Sequence, residues 1–154
     1  MAMNESNQLL CVRLGDQEFA LNIRAIREIR GWISSTPLPH APPYIKGMIN
    51  LRGSVLAIID LAERLGLPSA APNATSVVVV IEDGEHVIGL LVDAVSDIIT
   101  ATEDMRQVAP ETGSAVSREY IKRLIMQDKQ IISVLSIHAV IPKDTPIEIN
   151  LKAA

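Results

Sequence analysis

Tyr44 to Leu61 reads YIKGMINLRGSVLAIIDL. An apolar segment, Ile45 to Leu51, is followed by a tight turn at Arg52-Gly53 and a near-continuous apolar run, Val55 to Ile59. Glycine supplies the backbone freedom such a turn needs. The run is too short for a membrane span and is rich in strand formers, so it reads as a buried strand after a hairpin. Asn50 and Arg52 are polar side chains at the tip of an otherwise apolar hairpin. On spacing alone they read as a solvated tip that keeps a sheet edge from aggregating.

The flanking chain continues in the same style. Leu9–Leu14 and Glu18–Ile23 read as strands around a turn at Gly15-Asp16-Gln17. Ser76–Ile81 and His86–Val92 flank a hairpin signal at Asp83-Gly84. Tyr120–Met126 and Ile131–Ile137 flank Asp128-Lys129. In Asn22–Arg30 apolar residues fall three or four apart, which predicts one or two turns of helix. Asp93–Ile98 predicts a further helical turn, and Ala62–Leu65 a short helix ended by Gly66. Four prolines between Pro37 and Pro43 exclude helix and central strand, leaving a stiff connector. Thr100–Ser117 reads as a long loop.

The chain repeats itself. Shifted by 69 residues, Gly15 meets Gly84, Leu21 meets Leu90, and Ala25–Ile29 meets Ala94–Ile98. Shifted by 76, Tyr44-Ile45-Lys46 meets Tyr120-Ile121-Lys122, and Val55–Leu61 meets Ile131–Ile137. Two similar small β-lobes follow, related by a pseudo-twofold. Each is too small to be comfortable alone, so they should share an apolar seam. The copies differ at the central turn, where Asn50-Leu51-Arg52-Gly53 meets Met126-Gln127-Asp128-Lys129. The fold therefore does not require Asn50 or Arg52 there, which points to a function or a one-sided contact.

Composition excludes several classes. The 154 residues are 48% apolar, enough for a packed core, and a net charge of −4 argues against nucleic-acid binding. The single cysteine, Cys11, forms no disulfide within the chain and fits a reducing compartment as a small core residue. Met1–Gln8 carries no signal-like segment, and no apolar run reaches spanning length. His40, His86 and His138 are scattered, without cysteines or acids at metal spacing. Asp60 and Glu63 do not form a convincing catalytic pair. No phosphate cradle or nucleophile elbow appears. No enzyme, metal or cofactor is expected.

Glu28-Ile29-Arg30-Gly31, Pro37-Leu38-Pro39, Ala41-Pro42, Tyr44 to Gly53 and Ile58-Ile59-Asp60-Leu61 together resemble the CheW family of chemotaxis coupling proteins. Gly89 to Asp97 resembles that family's second half. The likeness covers roughly residues 8–140. It implies an all-β protein of two SH3-like barrel lobes with exchanged first strands. Residues 15–82 would form one lobe, 8–14 with 83–142 the other, with 1–7 a flexible N-terminus and 143–154 a tail. It implies a cytoplasmic adaptor, recruited to receptor arrays at the inner face of the cytoplasmic membrane. The adaptor would join the tips of methyl-accepting chemoreceptors to the CheW-like regulatory domain of the CheA histidine kinase. Ile26, Glu28, Val95 and Ile98, with Arg52, match the receptor groove. Asn50, Arg52 and Gly53 match the motif turn, and Arg106 and Thr112 a second kinase contact. There the aromatic of some relatives is replaced by Thr112.

Two other readings compete with this one. One is a small-ligand or enzyme cleft between the lobes, which the lack of converging His, Cys and acidic residues disfavours. The other is a module of a larger kinase, disfavoured by the absence of an ATP-binding segment. The family also serves pili motility and surface sensing, and the sequence does not select among these pathways.

Overall fold

A computed structural model describes residues 8–33, 35–69, 71–84, 86–102, 106–107, 118–127 and 129–142. The expected N-terminal and C-terminal tails, and Thr112, lie outside these residues. The architecture is all-β. The strands are β1 (Gln8–Leu14), β2 (Gln17–Asn22), β3 (Ile26–Gly31), β4 (Ile45–Leu51), β5 (Ser54–Asp60), β6 (Val77–Asp83) and β7 (His86–Val92). They continue with β8 (Ala94–Thr100), β9 (Arg106–Gln107), β10 (Ile121–Gln127) and β11 (Gln130–Leu135). Short helices α1 (Leu61–Leu65) and α2 (Ile137–Val140) follow β5 and β11.

The strands form two sheets, ordered β8-β1-β2-β11-β10-β9 and β3-β6-β7-β5-β4. The orders match under the repeat. In each sheet the third, fourth and fifth strands of one copy flank the hairpin of the other copy. Parallel pairs β2–β11 and β5–β7 make the equivalent joins. The first strand, β1, lies with β8, β10 and β11, and it takes its hairpin partner β2 with it, so the sheets exchange hairpins. In the two sheets β2 lies with β10 and β11, and β7 with β4 and β5. The physical reason is the short turn. Leu14 pairs directly with Gln17, and Asp83 with His86, so both strands of a hairpin travel together.

Strand alternation sorts the apolar residues into three layers. Leu10, Val12, Phe19 and Leu21 from one sheet meet Ala57, Ile59, Val79, Ile81, Ile88 and Leu90 from the other in one central cluster. This is the expected seam. Leu9, Cys11, Ala20, Ile125, Ile132 and Val134 form a second cluster on the outer side of the first sheet. Ile49, Leu51, Leu56, Ile58, Val78 and Val80 do the same for the other.

The expected helical turns at Asn22–Arg30 and Asp93–Ile98 are not formed as such. Only Ile23–Ala25 makes a single 3-10 turn, and Ile26–Gly31 and Ala94–Thr100 are edge strands. Each carries a bulge, at Arg27 and at Ser96, positions that match under the repeat. An extra residue breaks the two-residue period and mimics helical spacing. Thr36 makes one isolated antiparallel bridge, to Met48. Of the expected long loop, Arg106 and Gln107 form β9 along β10. The last strand ends at Leu135, and Ile137 opens α2.

Gly47 explains how the connector is held on the edge of β4. Its φ is +151°, and a Cβ there would stand 2.5 Å from the Thr36 carbonyl oxygen. Gly47→Ala should therefore lose about 1–3 kcal/mol of stability, while Gly31→Ala, with open space around it, should melt near the wild type. Equal melts for the two variants would show that the connector yields freely. Burial, then the charges of Glu18 and Asp97, push the Cys11 thiol up to about 11. In the folded chain it should resist alkylation at neutral pH and react on unfolding, since the thiolate is the nucleophile.

Candidate functional site

The Asn-Leu-Arg-Gly stretch resolves into four separate tasks. Asn50 accepts a hydrogen bond at Oδ1 from the Gly53 N–H at 2.9 Å and ties the turn together. Leu51 is buried in the outer cluster of its sheet. Arg52 has φ +52° and Gly53 φ +87°, the geometry of a two-residue hairpin turn with both central residues left-handed. Arg52 is unusual there, because side chains with a Cβ are disfavoured in that region. Its guanidinium Nη2 donates to Glu28 Oε1 across the sheet, forming an ion pair.

Glu28 stands on β3, and its other oxygen accepts from Arg30 Nη1 at 3.3 Å. Arg52, first through its hydrogen bond and then with help from Arg30, holds the Glu28 carboxyl below the usual carboxylate range. The pair is asymmetric in exposure: the Arg52 side chain is 69% exposed and that of Glu28 24%. Beneath it lies a shallow cavity of about 170 Å³, floored by Leu51, Leu56, Val80 and Val87 and rimmed by Arg27, Glu28, Arg52 and Ser54. The ion pair links a strand to a turn.

Strand register divides the five groove residues. Residues paired across antiparallel strands share a face. Ile26 pairs with Ile81, Val95 with Val12 and Ile98 with Leu10, all partners in the central cluster. These three therefore look toward the seam. Glu28 pairs with Val80, a residue of the outer cluster, so Glu28 and Arg52 occupy the opposite face of their sheet. The structure brings Glu28 and Arg52 together and sets them apart from Ile26, Val95 and Ile98.

Ile26 and Val95 are half-buried against the central cluster, and Ile98 is 51% exposed. The sequence reading missed Ile29. It pairs with Val79, shares the seam-facing side, and is 45% exposed. The repeat could have found it, because Ile29 stands where Ile98 does in the second copy. Arg106 opens β9 and pairs through its backbone with Ile125.

No chemistry converges on these residues. Among the described residues no group of three or more His, Cys, Asp or Glu could hold a metal ion. No helix among them is long and apolar enough to cross a membrane. Two interleaved sheets meet in an apolar seam, with exposed edge strands beside it and a charged pair on one outer face. Residues 8–145 match the family model described as CheW-like domain. A Rhizobium etli protein named "Probable chemotaxis protein CheW" is 48% identical over 132 residues, covering 86% of this chain and 85% of that protein. The chemotaxis protein CheW of Rhizobium meliloti is 43% identical over 141 residues, covering 92% of this chain and 91% of its own. The scaffolding protein TtCheW of Thermoanaerobacter tengcongensis has the same fold, with TM-score 0.81 at 24% identity over 94% of this chain and 92% of its own. The chain belongs to the CheW family, whose members are non-catalytic chemotaxis scaffolds.

A depressed carboxyl stabilises the fold above its ordinary range, and that contribution is lost as pH falls through the folded value. Glu28 should therefore titrate below an ordinary Glu in the folded chain, read by carboxyl NMR shifts. Arg52→Asn should move it upward. A Glu28 titration unmoved by that substitution would assign the effect to Arg30 instead.

Proposed function

We propose that this chain couples the cytoplasmic tips of methyl-accepting chemoreceptors to a CheA-type histidine kinase as a cytoplasmic adaptor. One observation carries the reading. Arg52 presents an exposed guanidinium from a strained turn position, and the matching turn of the repeat, Asp128-Lys129, does without it. A residue kept in an unfavourable conformation that the fold does not need is a functional candidate. Its planar fork of donors suits carboxylates and carbonyls on a partner.

The receptor contact falls to the seam-facing edge residues Ile26, Ile29, Val95 and Ile98. A helix laid in an apolar groove is a common recognition mode, and the tips of such receptors are helical hairpins. Glu28 and Arg52, on the other face, give a second contact surface through which receptor occupancy reaches the kinase. Arg106, on the outermost strand β9, is the proposed member of a further kinase contact with Thr112.

Reconstituted receptor, kinase and adaptor test the assignment. Ile29→Asp and Ile98→Asp should each weaken binding to a receptor-tip fragment by roughly tenfold or more, because a charge would face an apolar partner. Arg52→Asn should keep its melting temperature within a few degrees, since Asn tolerates a left-handed turn. Receptor-dependent kinase activation should meanwhile fall sharply. Full activation by Arg52→Asn would return Arg52 to a solvated turn. Opposite-charge reversal of Glu28 and Arg52 together should recover part of what either reversal loses.

A further inference from the structure

We infer that Arg64 is a positioning residue that fixes the angle between the two sheets, and with it the width of the seam-edge groove. Arg64 lies on α1, which follows β5. Its guanidinium carbon stands 4.8 Å from the ring centroid of Tyr44 and 5.3 Å from that of Tyr120. These tyrosines are the same position in the two copies. Their equivalence holds in the backbone too: the Tyr44 carbonyl accepts from Asp60 N at 2.7 Å, and the Tyr120 carbonyl from Ser136 N at 2.8 Å. Arg64 therefore sits where the copies meet.

The same side chain reaches across to α2. Nε donates to the Val140 carbonyl at 2.8 Å and Nη2 to the Ala139 carbonyl at 3.3 Å. Carbonyls at a helix end lack partners within the helix and favour a positive charge. One cation thus stacks between two rings and caps the helix that follows β11 of the other sheet. Under the repeat the mate of Arg64 is Val140, which is fully buried. A second guanidinium beside the first would repel it, so the clamp exists once and serves both halves. Sliding one sheet on the other would break both carbonyl bonds and part at least one ring from the cation.

The groove edges β3 and β8 belong to different sheets, so any rotation between sheets changes their separation. Only this consequence rests on the coupling function. Spin labels at Ser54→Cys and Gln130→Cys, matching exposed positions on β5 and β11, report the distance between sheets in a Cys11→Ala background. Arg64→Leu should broaden that distribution and lengthen its mean. Arg64→Lys should give an intermediate distribution, since an ammonium still donates but does not stack as a plane between two rings. Ile58→Ala, which opens a gap in the outer cluster of one sheet, should lower the melting temperature and leave the distances alone. Unchanged distances in both Arg64 variants, or equal broadening in Ile58→Ala, would overturn the inference. So would broadened distances in Arg64→Leu with receptor-tip binding at the wild-type level. A wild-type chain that binds no receptor tip counts against the coupling function, and the distances alone then decide on Arg64.

Discussion

The fold depends on the burial of one apolar face of each sheet against the other. Each exchanged hairpin enters its host sheet as the two strands beside the seam-edge strand, and it carries Leu10, Val12, Phe19 and Leu21, or Val79, Ile81, Ile88 and Leu90, into the central cluster. Separating the sheets would return these side chains to water at about 1.5–3 kcal/mol each. A lobe so small does not withstand that loss, because its own outer cluster holds seven or eight buried residues among those described. The exchange also makes separation topologically costly. The link from β2 to β3 is Ile23–Ala25, and from β7 to β8 it is Asp93 alone, so a hairpin cannot leave without dragging a strand of the other sheet.

Symmetry of the repeat separates structural residues from special ones. The bulges at Lys46 and Lys122 match, as do those at Arg27 and Ser96. The caps match as well: Asp60 accepts from Glu63 N before α1, and Ser136 from Ala139 N before α2. Features present in both copies answer to the fold. Features present once need an account of their own. Arg52 and Glu28 form an ion pair on one side only, and Arg64 faces Val140. Asp60 is nearly buried and is held by Ser69 and by Lys46 at 3.7 Å, a local arrangement without an equivalent in the Ser136 cap. That one-sided contact is fully satisfied within its own lobe, which marks it as structural despite its asymmetry.

Much of this was legible from residues. Turn signals at Gly15, Gly53 and Gly84 set the hairpins, and the repeat set their equivalence and the seam. The second copy keeps the acid of the Glu28–Arg52 pair as Asp97 and lacks the arginine, so the repeat marks Arg52 as the one-sided member. Three things were not. The bulges at Arg27 and Ser96 shift the alternation by one, and a window of nine residues cannot tell a bulged edge strand from a helical turn. Hairpin exchange is a tertiary choice between equally short-range solutions, and pairing partners across the sheet leave no local trace. The face on which Glu28 stands also follows from the bulge. Without it, Ile26 and Glu28 would share a side, and the charged pair would sit in the groove with Ile26.

The treatment of sheet edges bears on where the proposed receptor contact falls. Exposed edges invite pairing with other chains, and natural sheets cover or disrupt them. The edge of β4 is met by Thr36, whose N–H and carbonyl bond Met48 at 2.9 and 2.8 Å. The matching edge of β10 is met by β9 at Leu124 and Ile125. The other two edges, β3 and β8, have bulges and no covering strand among the described residues. A bulge blocks continuous strand addition but leaves side chains in place, so these edges keep Ile29 and Ile98 exposed without offering a clean ladder. Such an edge discourages a strand partner and still accepts a helix through side-chain contact alone. The same local distortion that obscures the two strands in the sequence thus favours, for the proposed contact, a helix over an added strand.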